Sequence, residues 1–387
     1  MSDHLLQAVP GVSVLLVTGS PMVHEFRLRA GLDYIKLPCL SRVGRDEYSA
    51  KSLGTDISQL MQLRSGLILA AARDFNPDVV LVDKKPDGVK HELKSTLAYL
   101  KKNKPCCRVA LVLRDILDTA ESTIASWKER KYFDTIREYF ESVLILGGPA
   151  VFDAAKEYGF PEDIRRRTRY CGYLRRPVPC QADSSRLRAT LLQRGETRMV
   201  LVTPGGGEDG FALVRDYAKG AARLKNVRSF IVCGPEMPEP QRGVIGRLAA
   251  KAPGVSVTEF TGDMIAYMGA ADAVVSMAGY NTVCEILSLK KRAVAVPRAH
   301  PVQEQWIRGE RMSRLGLLQA IHPDALTPAA LMDGVERQLE AGPMQEEIPA
   351  SLEGLEGVAR WVRELSVRAR VVETTGRVKW NAVSVMF

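Results

Sequence analysis

The chain lacks what several classes of protein require. No apolar run approaches the roughly 18–20 residues of a membrane-crossing helix. The opening MSDHLLQAVPG has no basic start and too short an apolar core for a secretory leader. Its seven cysteines, at 39, 106, 107, 171, 180, 233 and 284, are odd in number and form no C-x-x-C pair. Most sit in or beside apolar runs, so the expectation is reduced, buried thiols and no zinc site. Aromatic residues are only 6% of the sequence, and no nucleic-acid module is visible. Disorder, collagen and coiled coil are excluded by a globular composition, 46% hydrophobic and 26% charged. A length of 387 residues is too great for one ordinary domain and suits two of roughly 150–200. The reading is a soluble, cytoplasmic protein.

The net charge of +9 is uneven. Residues 151–200 carry a local +5, and residues 301–350 a local −4. Six arginines (165, 166, 167, 169, 175, 176) fall within 12 residues with no acid among them. Such a stretch, Arg165–Arg176, suits an anionic membrane surface and makes the protein peripheral to it. A nucleic-acid partner rests on charge alone and is disfavoured. A solvated basic face is the plain alternative.

Short β-branched runs alternate with helical stretches. The strand candidates are 12–19, 33–38, 79–83, 108–113 and 142–147, then 198–204, 229–234, 255–260, 273–278 and 292–297. They are apolar almost throughout, as strands buried on both faces of a parallel sheet are. Two βαβαβ halves imply an α/β protein of two Rossmann-like, doubly wound parallel-sheet domains. The halves divide as 1–176, a linker at 177–185 with Pro177 and Pro179, and 186–367. The last 20 residues, 368–387, read as a tail with weak strand character and no clear packing face.

Three Gly-rich turns follow strands in the second half. The first, TPGGGEDG (203–210), places Gly205, Gly206 and Gly207 between a strand and a helix, where backbone N–H groups approach phosphate unobstructed. It fits G-x-G-x-x-G, but the acidic residue a dinucleotide site wants is misplaced beyond Pro235, so NAD is disfavoured. A ligand-free tight turn is the alternative. The second, FTGDMIAYMGAAD (260–272), offers backbone groups at Met264 and Ile265 to a base edge, or simply opens a short core helix. The third, SMAGYNTVCEIL (276–287), ends a strand at Gly279 and starts a helix near Asn281 or Thr282. The positive end of that helix suits a diphosphate. Glu285 then lies in the first turn, where Thr282 and Glu285 also fit a capping box. Beyond Pro297, His300, Gln303, Glu304 and Gln305 bring imidazole, amide and carboxylate groups to the same sheet edge, suited to sugar hydroxyls. A solvated loop is the alternative.

FTGDM (260–264), SMAGYNTVCEI (276–286) and VPRAHPVQEQ (296–305), in this order and spacing after a Gly-rich turn, resemble the C-terminal half of MurG-like glycosyltransferases of the GT-B fold, family 28 type. The resemblance implies two domains facing a cleft and hexosyl transfer from a nucleotide-diphosphate sugar, UDP-like, to an acceptor that is lipid-linked or a small metabolite. It implies that Glu285 holds the ribose, that Gly279, Asn281 and Thr282 hold the diphosphate, that Met264 or Ile265 contacts the base through its backbone, and that His300 and Gln303–Gln305 face the donor sugar. Such enzymes need no cofactor or bound metal, and no D-x-D occurs here.

The first half matches less well. Family members begin with a strand and a Gly-rich loop that frequently supplies a catalytic base. This chain starts in what reads as the following helix, so that strand and loop are expected to be absent, by truncation or loss of the machinery. His24 is not at the matching position. Asp83, Arg114 and Asp115 at strand ends are substitute catalytic candidates, with an ordinary helix N-cap as the competing role for Asp115. Rival readings are nucleotide-sugar hydrolysis or epimerisation on the same fold, and a catalytically weakened nucleotide-sugar-binding protein.

Overall fold

The structure is a computed structural model and describes residues 1–25, 28–42, 47–193, 195–344, 348–373 and 384–386. Its strands are β1 (Ser13–Thr18), β2 (Leu32–Lys36), β3 (Leu40–Arg42), β4 (Tyr48–Ala50), β5 (Val79–Asp83), β6 (Arg108–Arg114), β7 (Ser142–Leu146), β8 (Thr168–Tyr170), β9 (Arg198–Thr203), β10 (Val227–Val232), β11 (Val255–Thr258), β12 (Ala273–Ser276), β13 (Arg292–Ala295), β14 (Gln319–Ala320) and β15 (Ser384–Met386). The helices that matter below are α1 (Ser2–Ala8), α2 (Ile57–Phe75), α3 (Lys94–Asn103), α4 (Ala120–Glu129), α5 (Tyr280–Ser288), α6 (Glu304–Arg314) and α7 (Gly354–Glu373).

Near-continuous apolar runs became strands covered on both faces. All five residues of β7 and all four of β12 are buried. The second sheet has the order β11-β10-β9-β12-β13-β14 and is parallel throughout. That is the doubly wound order, whose switch point lies between β9 and β12. The first sheet has the order β2-β1-β15-β5-β6-β7-β8, again parallel. A short antiparallel hairpin, β3–β4, stands beside it.

The first sheet departs from expectation at its centre. The place of the strand expected to be absent is filled by β15, the last in sequence, with Val385 opposite Val14 on one side and Val79 on the other. Residues 368–387 are therefore not a loose tail throughout: 368–373 complete a helix and 384–386 lie inside a sheet, while 374–383 and 387 fall outside the described residues. Helix α7 also belongs with the first half rather than the second. Trp361, 2% exposed, donates from Nε1 to Ser142 Oγ at 3.1 Å, and a Cβ at Gly357 would meet Cys171. The linker is shorter than its composition implies, because a helix begins at Gln181 and packs under Gly269. Of the seven cysteines all are free, but only 171, 233 and 284 are buried, and Cys106 and Cys180 are exposed.

Candidate functional site

The carboxyl ends of the two sheets meet across the middle of the molecule. Tyr280 opens α5 and donates its hydroxyl to the Leu146 carbonyl at 3.0 Å. The Gln303 amide donates to Asp118 Oδ1 at 3.0 Å, and Arg311 pairs with Glu157 at 2.9 Å. The centre of this contact is a buried ion pair. Arg308 of α6 donates through Nε and Nη2 to both oxygens of Asp115 at 2.8–3.2 Å, and neither residue is exposed. Tyr173 adds its hydroxyl to Asp115 Oδ2 at 2.9 Å. Burial pushes the Tyr173 and Tyr280 phenols up, so both remain neutral donors.

This geometry corrects the reading of Asp115. It neither lies open to an acceptor nor caps a helix, because Thr119 caps α4. Both its oxygens are consumed in holding the halves together. Arg114 does face the cleft, with its guanidinium 5.5 Å from the Tyr280 ring centroid. Asp83 is exposed at the end of β5.

Around α5 the turn is built for close approach. Ala278 sits at φ +56, and Arg308 Nη1 holds its carbonyl at 3.1 Å. Gly279 is the N-cap and α5 starts at Tyr280. Asn281 is exposed and Thr282 half-buried, so both belong to the first helical turn. The capping-box reading of Thr282 and Glu285 fails, since the helix begins before Thr282 and Glu285 lies beyond the first turn. Glu285 instead faces the linker: its Oε1 is 3.6 Å from Arg176 Nε, and its side chain is 18% exposed. Ser288, one turn on, accepts from the Arg176 amide at 2.9 Å. Burial raises the Glu285 carboxyl above its ordinary 4.5, with Arg176 opposing.

The Gly-rich turn divides its labour. Gly207, at φ +101, packs backbone on backbone, and a Cβ there would fall 2.5 Å from the Cys233 carbonyl oxygen. Gly206 accepts from the Glu236 amide at 2.8 Å. Gly205 faces open space, as does Gly279, with nothing within 4 Å of an added Cβ at either. Met264 and Ile265 open a helix capped by Asp263, whose carboxylate accepts from the Ala266 amide. The short-helix reading is thus correct in structure, and it leaves the first helical amides without intrahelical partners.

The loop after β13 is internally braced. Gln305 Oε1 accepts from the Arg298 amide at 3.0 Å, and Arg298 pairs with Asp209 at 2.7 Å and Glu304 at 3.8 Å. His300 is exposed, and Gln303 precedes α6 as its N-cap. Between this loop and the first half lies a cavity of about 160 Å³, lined by Lys85, Asp118, Ser122, Trp127, Arg298 and Glu304 among others. Ser122 Oγ and Arg298 Nε are buried without a hydrogen-bond partner among the described residues. Asp118 was not singled out in the sequence. No local pattern marked it, because its contact with the other half, the Gln303 amide, comes from 185 residues away.

The arginine stretch is about half neutralised, three carboxylates meeting its six guanidinium groups. Arg165 and Arg166 share Glu162, Arg169 pairs with Glu364, and Arg176 pairs with Glu285. Arg167 bonds the Phe140 carbonyl, and Arg175 is exposed. No helix among the described residues is long and apolar enough to cross a membrane. No group of three or more His, Cys, Asp or Glu among them is placed to hold a metal ion.

Two parallel doubly wound domains meeting at their strand ends define the GT-B class, and solved structures of that class overlay nearly the whole chain. These include Acinetobacter baumannii MurG (12% identity, TM-score 0.53, covering 92% of this chain and 100% of that one). The calicheamicin glycosyltransferase CalG4 (17%, 0.55, 98% and 95%) and a putative UDP-N-acetylglucosamine 2-epimerase of Listeria monocytogenes (12%, 0.56, 94% and 97%) share the fold too. Residues 199–349 match the glycosyltransferase family 28 C-terminal domain, and this half of the chain is MurG-like. A relative from Haemophilus influenzae is a UDP-N-acetylglucosamine--N-acetylmuramyl-(pentapeptide) pyrophosphoryl-undecaprenol N-acetylglucosamine transferase. It is 28% identical over 111 residues, 29% of this chain and 32% of the relative. The enzyme of that name from Agrobacterium fabrum is 27% identical over 157 residues, 40% and 41%. The matched stretches thus span about a third to two fifths of these relatives.

Proposed function

We propose that the protein transfers a hexosyl group from a nucleoside-diphosphate sugar, with UDP as the nucleotide, to a hydroxyl acceptor. The observation that carries this is Glu285. It is released from any capping role, half-buried, and nearly two turns beyond the open backbone of Gly279. A carboxylate there accepts hydrogen bonds from ribose hydroxyls while the start of α5 meets the diphosphate. Gly205, Met264 and Ile265 supply backbone groups around the nucleotide, and His300, Gln303, Glu304 and Gln305 surround the donor sugar. The loop braces seen above keep that sugar site rigid before the ligand arrives.

In the reaction, the acceptor oxygen forms a bond to the anomeric carbon as the bond from that carbon to the diphosphate oxygen breaks. The acceptor proton passes to a carboxylate of the first half, and the nucleoside diphosphate leaves with the electron pair. Asp118 is the assignment for that carboxylate, because it borders the cavity between the halves and touches the sugar-facing loop. Asp83 does not line that cavity, and Arg114 supports the leaving diphosphate by its charge. Residues of this chain need no cofactor in that scheme. The acceptor is lipid-linked or a small metabolite, and a membrane-bound acceptor makes the protein peripheral to a membrane.

The epimerase among the structural relatives favours one second reading, in which the same site activates a UDP-sugar without an acceptor. A thermal-shift screen of nucleoside diphosphates and their sugars tests the nucleotide site, since a ligand bound only by the folded state stabilises it. A coupled assay for released UDP then separates the reactions. Acceptor-dependent release supports transfer. Acceptor-independent release supports hydrolysis, and isomerised sugar without release supports epimerisation. No stabilisation by any nucleotide contradicts all three.

A further inference from the structure

A second cavity opens in the first half, beside the one between the halves. Its volume is about 280 Å³, and it runs from the carboxyl ends of β1 and β5 into the space between the sheet and helices α2 and α3. The walls are largely apolar, with Val17, Leu37, Ile68, Val80, Val82 and Leu97 contributing. It shares Tyr48, Lys84 and Lys85 with the interdomain cavity, so the two spaces adjoin through one wall. Lys85 Nζ reaches the Tyr48 hydroxyl at 3.3 Å and lies 5.1 Å from its ring centroid, fixing both side chains at this junction.

Two features separate this space from an ordinary packing defect. Protein interiors leave few voids larger than a water molecule, and a dry cavity of roughly 150 Å³ already takes up benzene. The second feature is Thr96, which is 2% exposed and lines the cavity. Its Oγ1 is buried with no hydrogen-bond partner among the described residues. A buried hydroxyl without a partner is disfavoured unless a ligand or water completes it. Of the charges that line the cavity, Asp83 and Lys84 are exposed and Lys85 bonds Tyr48. Arg64 is held by both oxygens of Glu92 and by the Pro38 carbonyl.

We propose that this cavity is a binding site for the apolar body of the acceptor, a small hydroxylated aromatic or alicyclic molecule of about ten carbons. Its reactive hydroxyl points to the Tyr48–Lys85 wall that this cavity shares with the space bordered by Asp118 and Glu304, and a further polar atom meets Thr96. The acceptor class rests on the transfer reading above, whereas occupation of the cavity does not. The apolar walls contribute most of the affinity, because little polar surface needs to be desolvated there.

The test uses the full chain with 2-naphthol and naphthalene as probes, read by fluorescence titration, and UDP read by calorimetry. The parent is expected to bind both aromatics. Val17→Phe, which fills the cavity, is expected to weaken both by at least tenfold while melting at or above the parent's temperature. Thr96→Val keeps the shape and removes the hydroxyl. It is expected to weaken 2-naphthol by roughly 2- to 12-fold and leave naphthalene unchanged, the range of one neutral hydrogen bond. The proposal is overturned if the parent binds neither aromatic, or if both variants bind 2-naphthol as the parent does. UDP binding judges the transfer reading separately: a parent that binds naphthol but not UDP keeps the cavity and loses the donor site.

Discussion

Removing the guanidinium of Arg308 is expected to cost more than any other single change at the domain contact. In Arg308→Met, Asp115 keeps only the Tyr173 hydroxyl and the Ile116 amide as partners for a carboxylate with no exposure. Breaking a buried pair by deleting one partner costs about 3–5 kcal/mol. For halves of this size that is a fall of roughly 6–20 °C in melting temperature. Asp115→Leu leaves the complementary defect, a buried cation. The double variant Arg308→Met/Asp115→Leu removes both charges and is expected to be less destabilised than the two single variants added together, since apolar replacement of a whole buried pair is often near neutral. Its residual cost comes from the Ala278 carbonyl and the Tyr173 hydroxyl, each left short of a partner. Circular-dichroism melts of the four proteins decide the matter. Strictly additive losses, or an Arg308→Met protein within about 1 kcal/mol of the parent, would refute the reasoning. A second effect follows from the same bond network. Arg308 steadies the left-handed Ala278 just before Gly279, so UDP affinity should fall in the double variant even where it is fully folded.

Two further outcomes follow from other parts of the molecule. Because burial raises Glu285 above 4.5, the folded state takes up this proton before the unfolded state as the pH falls; the group therefore adds stability as pH drops through its folded pKa toward 4.5, and loses it again on raising the pH. UDP affinity runs the other way over that window, since ribose hydroxyls donate to the ionised form. Glu285→Gln removes the carboxylate's part of both slopes and leaves that of the UDP terminal phosphate, which titrates at about pH 6; a Glu285→Gln profile of UDP affinity identical to the parent's would rule out the ribose role. Val385→Pro removes an amide from a strand paired on both sides and should lower stability by about 1–3 kcal/mol or more. An unchanged melting curve would remove β15 from the first sheet.

What was legible in the residues was whatever local pattern encodes. The ten runs are strands, and the central ones, such as β7 and β12, are apolar throughout because a parallel sheet buries both their faces. Partners distant in sequence were not legible. Nothing near S-V-M (384–386) marks it as the strand between β1 and β5, since pairing is a tertiary event. Likewise D-I-L-D looks like a helix start, and only the folded chain brings Arg308, 193 residues away, onto Asp115. The T-x-x-E spacing at Thr282 misled for a different reason. A capping box depends on where the helix begins, and Gly279 with its extended backbone set that start earlier. The arginine stretch keeps only part of the charge counted along the chain. Glu162, Glu364 and Glu285 approach from outside it and offset about half of its charge.

The most direct test of the nucleotide site is calorimetric titration of UDP into the parent, Glu285→Gln and Glu285→Ala. A carboxylate accepting charged hydrogen bonds contributes about 1.5–3 kcal/mol, so Glu285→Ala should weaken UDP by roughly 10- to 150-fold. Glu285→Gln should fall between that and the parent, and neither variant should lose helix stability as a cap mutant would. Equal UDP affinity in all three proteins would contradict the assignment of the donor site.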